Sequence, residues 1–278
     1  MNAPEDNPQP SLPPTIERAL VAEEGYIAPM DDLSALEMVQ GTSHPIHEIG
    51  TAIYLSPETF ARAAEWGWAN PFSFYFAGRG GVIGSVDAGT VSSAMGYFNP
   101  EVLTGLYTEG IAVAGPQGAA DRMMEATAAW GRDHLQGIDG LDTFVRLADQ
   151  LVEGAEGAAL TLFAGWRAQV RVDDTEGRAA QLFQVLREWR GAVHLVGTTA
   201  VGLTPLEAIL TTDGPDQAKF FGWSEPFPDW KGVADRQVEA EGITDDLCAR
   251  DVDRLLSPIE RRALSEAVTA VSAAVLKG

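Results

Sequence analysis

Histidines, an arginine and many aromatic rings are concentrated between His44 and Asn99, in HPIHEIGTAIYLSPETFARAAEWGWANPFSFYFAGRGGVIGSVDAGTVSSAMGYFN. Imidazoles exchange protons near neutral pH and ligate metals. A guanidinium holds a carboxylate through two parallel N–H bonds. His44 and His47 are three residues apart, a spacing that shares one helix face, and Glu48 follows them. Two histidines without a clear third ligand make a weak metal set. The order is not that of HExxH, and Pro45 argues against a regular helix there, so no metal is assigned.

Arg79 follows the apolar run FSFYFAG. It could reach into an aromatic-walled cavity to bind a carboxylate or enolate oxygen, or it could cap its helix or pair with an acid. Tyr75, Tyr97 and Asn99 add polar groups among the rings, most of which are expected in the core. His194, in AVHLVG, is either a satisfied core histidine or a ligand-binding or proton-transfer group. The candidate ligand-binding residues are therefore His47, Tyr75, Arg79, Tyr97, Asn99 and His194. No catalytic residue is assigned, because neither Ser56 nor Cys248 sits in a nucleophile elbow or triad. The run GRGGVIG lacks the spacing of a dinucleotide or phosphate loop, so no cofactor is expected.

The elements that must position these groups read as helices. Residues 1–14, rich in proline, acid and amide, read as a disordered tail. An amphipathic helix is expected over 15–24, and a short one over DDLSALEMV that Gly41 stops. Ser56-Pro57 and Asn70-Pro71 are cap-plus-proline helix starts. Gly80, Gly81 and Gly84 are expected to form a loop, with further helices at 85–98 and from Pro100. GPQGAADRMMEATAAWGRDHL, GLDTFVRLADQLVEG and 158–168 continue the series up to a polar break at 172–174. Later helices are expected at 178–189, from Thr204, over KGVADRQVEAEG with Gly242 as its end, and from Ser257 onward. ITDDLCARDVDRLL is long enough for a small β-hairpin. WGWANPF at 66–72 is echoed by FGWSEPF at 221–227, which hints at a duplication.

Composition narrows the setting. Nineteen basic residues against forty acidic ones give a net charge of -21, which favours solubility and repels phosphate backbones. The single cysteine excludes an internal disulfide and a multi-cysteine zinc site. The N-terminal residues show no basic-then-apolar leader, and no run of eighteen apolar residues occurs, so no membrane span and a cytoplasmic location are expected.

HPIHEIGTAIYLSPETFARAAEWGW, FYFAGRGGVIGSV, FNPEVL and LREWRGAVHLVG together resemble landmarks of the SalK-like actinobacterial helix-turn-helix family. The resemblance runs from His44 to the C-terminus and implies a winged-helix, MarR-like C-terminal unit. The chain departs from the family pattern at Gly80–Gly84 and at Ala192, where relatives often carry an aspartate before the late histidine.

The expected fold is mainly α: a helical domain over 15–174 with an aromatic pocket, then a winged-helix-like domain over 175–278. From Arg178 to Gly278 there are 11 basic and 15 acidic residues, a net of -4, so DNA is not the expected partner. The expected role is that of a small-molecule-binding sensor or regulator in specialised metabolism. The alternative is an enzyme acting on an aromatic or polyketide-like substrate by acid–base or anion-stabilising catalysis. A homodimer is a candidate assembly by analogy with winged-helix regulators.

Overall fold

Capping chemistry sets the helix boundaries. In the computed structural model, which describes residues 32–276, Ser34 and Glu37 form a reciprocal capping box that opens α1 (Ala35–Leu55). The tail at 1–14 and the helix expected over 15–24 lie outside the described residues. Gly41 does not stop α1, and neither does Pro45. A proline within a helix clashes with the carbonyl four residues back. Here that residue is the exposed Gly41, which has nothing crowding it. Thr42 and Ser43 meanwhile donate their hydroxyls to the carbonyls of Met38 and Val39, at 2.8 and 2.5 Å.

Ser56 and Asn70 cap α2 (Pro57–Glu65) and α3 (Pro71–Gly81), each with proline in the first turn. FSFYFA is thus a helix rather than a strand. Of the glycines that read as a loop, Gly84 is in one, but Gly80 and Gly81 are the end of α3, which lies along α5 (Pro100–His134), with α4 (Ala88–Met95) between them in sequence. A Cβ on Gly81 would stand 2.1 Å from the carbonyl oxygen of Pro116, so these glycines let two backbones touch. Only Gly84 of that run has a positive φ. α5 itself kinks at Gly115–Pro116.

α6 (Leu141–Gly154) and α7 (Thr161–Arg167) follow, and Asp174 caps α8 (Thr175–Ala200). α8 is the axis of the molecule: α1, α5, α6 and α7 all pack on it. α9 (Pro205–Thr212) and α10 (Gly214–Phe220) form a small bent pair. After a 3-10 turn come α11 (Ala234–Leu255), which also packs on α8, and α12 (Pro258–Val275), capped by Ser257.

Two expectations are corrected here. Among the described residues there is no strand, so there is no β-wing. The segment at 243–255 is the second half of α11, which passes through Gly242. Buried Thr244, Cys248, Asp251 and Val252 recur there at helical spacing, and that burial outweighs the roughly 1 kcal/mol penalty of an internal glycine. The boundary expected between 174 and 175 falls at the cap of α8. Leu33–Gly278 forms one compact unit with a core cluster running from Ala35 to Val271. Among the described residues no single helix is long and apolar enough to cross a membrane.

The two echoed heptapeptides are alike in structure. Gly67 and Gly222 each take a positive φ after a helix, and the Trp68 and Trp223 amides bond back to Ala63 and Ala218, both at 3.0 Å. Each indole N–H then donates to a backbone carbonyl, Trp68 to Gly110 and Trp223 to Tyr97. The second copy steadies α9 and α10, which carry their own small core of Ile209, Leu210 and Ala218.

Candidate functional site

α8 presents a mixed face, LREWRGAVH, in which charged residues interrupt an apolar helix. Glu188 points inward and is only 1% exposed. An isolated buried carboxylate is costly, so its partners determine its state. Arg79, from α3, grips it side-on, with Nε 2.8 Å from Oε1 and Nη2 2.9 Å from Oε2. The Tyr54 hydroxyl donates to Oε1 at 2.9 Å, and Arg187 Nη1 donates to the same oxygen at 3.1 Å. Arg79 Nη1 also donates to the Tyr75 hydroxyl at 2.8 Å, and the Trp166 indole holds the Arg79 carbonyl. Burial alone would raise the Glu188 pKa, but Arg79, Arg187 and the hydrogen bonds outweigh it and hold the carboxyl below its ordinary range.

This cluster forms one end of a cavity of about 980 Å³. Phe72, Phe76, Phe98 and Phe221 are among its walls, and the Phe98 and Phe221 rings lie 4.4 Å apart. At the other end Tyr97 stacks on His194, and the Tyr97 hydroxyl meets Thr198 at 3.0 Å. Burial pushes the Tyr97 hydroxyl up to about 12. The Thr244 hydroxyl donates to the Ala240 carbonyl, so at their 3.0 Å contact His194 Nδ1–H is the donor. His194 Nε2 then faces Glu241 at 3.6 Å. Burial lowers the His194 pKa and Glu241 opposes it, with a net lowering. Arg190 is answered by Glu241 at 2.8 Å and Asp245 at 3.2 Å.

His47, Tyr75, Arg79, Tyr97 and His194 therefore all line one cavity. His47 lines the cavity and keeps accessible surface, yet the surrounding protein desolvates it. Burial first, then the nearby Arg187 and Arg79, lower its pKa to about 4. Asn99 is different: its side chain caps α5, accepting from the amides of Glu101 and Val102 at 2.9 and 3.3 Å, and it is not on the cavity wall. Of the readings open for Arg79, the pairing with an acid is the one seen, its charge being met by Glu188. Sequence reasoning missed Tyr54, Arg187 and Glu188. The available signal was an Arg-Glu pair inside an otherwise apolar helical stretch. Among the described residues no three metal-ligating side chains converge, His44 and His47 included.

Among the described residues, fold and site define an all-helical protein with a large cavity lined by aromatic and charged side chains. The chain belongs to a helix-turn-helix family, whose sequence profile matches residues 39–275. It matches no curated protein and no solved structure.

Proposed function

We propose that this protein binds a planar, largely apolar small molecule in the cavity on α8 and acts as a sensor- or regulator-like member of its family. One observation carries the reading: a cavity of about 980 Å³, partly open to the surface, has aromatic rings and fixed polar groups on its wall. Ordinary interiors leave few voids larger than a water, whereas ligand sites occupy several hundred cubic ångströms. The likeness of the LREWRGAVHLVG region to SalK-like proteins supports a setting in actinobacterial specialised metabolism. DNA is left out of the proposal, since the C-terminal hundred residues carry 11 basic against 15 acidic groups.

The enzymatic alternative has less support. An acid–base catalyst works best with a pKa near the working pH, and His47 at about 4 is far from it. The test is a thermal-shift screen of aromatic compounds against the wild type and Ala192→Trp, which places an indole on the cavity wall. A ligand at a hundred times its Kd stabilises the folded state by about 2.7 kcal/mol. The wild type should show that shift, Ala192→Trp should lose it, and mass spectrometry should recover the compound unchanged. Equal shifts in both proteins would move the site elsewhere, and consumption of the compound would restore the enzyme reading.

A further inference from the structure

Two guanidinium groups share one carboxylate at the inner end of the cavity. Arg79 takes both oxygens of Glu188, so the negative charge there is matched by Arg79 alone. Arg187 adds a second positive charge and makes one hydrogen bond, through Nη1. Its Nε is buried without a hydrogen-bond partner, which leaves Nη2 as the donor open to an incoming group. The Arg187 side chain is 14% exposed, lines the cavity, and sets its guanidinium 5.3 Å from the centre of the Tyr54 ring. Gly50 makes room for it: a Cβ there would stand 2.3 Å from Arg187 Cδ.

Other charged groups also line the cavity. Near His194, Arg190 is paired with Glu241 on the wall and with Asp245. Asp213 and Glu48 also lie on the wall, but neither forms an ion pair with Arg187. Arg79, Arg187 and Glu188 together leave one positive charge on the wall that Phe76 and Phe98 also line. The environment of His47 agrees: after burial, each charge that lowers its pKa is a cationic or imidazole group, namely Arg187, Arg79, His44 and Arg190.

Resting on the cavity reading above, we propose that the ligand is a planar aromatic carboxylate, its anionic group seated on Arg187 Nη2 beside His47 and its rings against Phe76 and Phe98. The anion completes the charge balance that Glu188 leaves unfinished. The apolar walls account for the body of the molecule.

The probes are 9-anthracenecarboxylate and its neutral isostere 9-anthracenecarboxamide, titrated calorimetrically into the full chain. Wild type should prefer the acid by roughly 10–100-fold, the range expected for one or two charge-assisted hydrogen bonds. Arg187→Met should abolish that preference while keeping the affinity for the amide. It should fold, because Glu188 retains both bonds to Arg79. Gly50→Ala, which displaces the Arg187 stem without removing its charge, should weaken the preference as well. Equal affinities in the wild type, or a preference that survives Arg187→Met, would overturn the anion assignment and leave the cavity reading standing. Failure of both probes to bind the wild type would overturn the two together.

Discussion

Replacing Arg79 with methionine removes the main countercharge of Glu188 while keeping an apolar stem. Glu188 Oε2 then loses its single hydrogen bond, at 2.9 Å, and Oε1 loses the one at 2.8 Å. What remains on Oε1 is Tyr54 at 2.9 Å and Arg187 at 3.1 Å. Removing one partner of a buried ion pair costs about 3–5 kcal/mol. Because Arg187 still supplies a positive charge, the lower end applies, about 3 kcal/mol. For a domain of this size that lowers Tm by roughly 6–12 °C. Replacing both partners, Arg79→Met with Glu188→Leu, should not restore wild-type stability, since Arg187 and the Tyr54 hydroxyl then lose Glu188 as their partner. Urea unfolding followed by circular dichroism gives all four corners of the cycle. A loss below about 1 kcal/mol in Arg79→Met would match an exposed surface pair. It would show that this cluster is not desolvated, and the account of the inner cavity end would fail.

Acid should destabilise the fold through two groups. His47 has a folded pKa of about 4 against an ordinary 6.5, so the unfolded chain takes up its proton first. Stability should therefore fall as pH drops from 6.5 to 4, and His47→Gln should flatten Tm in that window. The depressed Glu188 adds stability above the ordinary carboxylate range that is lost as pH falls through its folded value. Gly81→Ala should cost at least 1–3 kcal/mol in urea unfolding, because its Cβ meets the Pro116 backbone oxygen at 2.1 Å and neither helix can yield. Cys248 is buried and its thiol is pushed up to about 12, so a thiol reagent should label it only in denaturant. Native-state hydrogen exchange should be faster in α9 and α10, held by three buried apolar residues of their own, than in α8 at the centre of the main core.

Much of the local structure was legible in the chain. Ser56-Pro57, Asn70-Pro71 and Ser257-Pro258 each begin a helix where capping chemistry says one should, and the outcome is an all-helical body. The aromatic concentration around Arg79 borders the cavity, and five of the six candidate residues line it. Local signals failed where a residue type has two uses. Gly80 and Gly81 could end a helix or let another helix touch it, and only α5 lying against them decides for contact. Gly41 and Gly242 read as stops, yet burial on either side carries both helices through. Asn99 could line a pocket or cap a helix, and the amides at the start of α5 claim it.

Residue types and periodicity alone determine helix starts, helix faces and the surplus of acid, because these depend on neighbours within a few positions. Charge pairing does not. Arg79 and Glu188 are 109 residues apart, and nothing near either one reveals that α3 and α8 bring them within 2.8 Å. Tertiary packing therefore decides which arginine is neutralised and which keeps an unpartnered edge, since a buried carboxylate must find a cation and the fold offers it two.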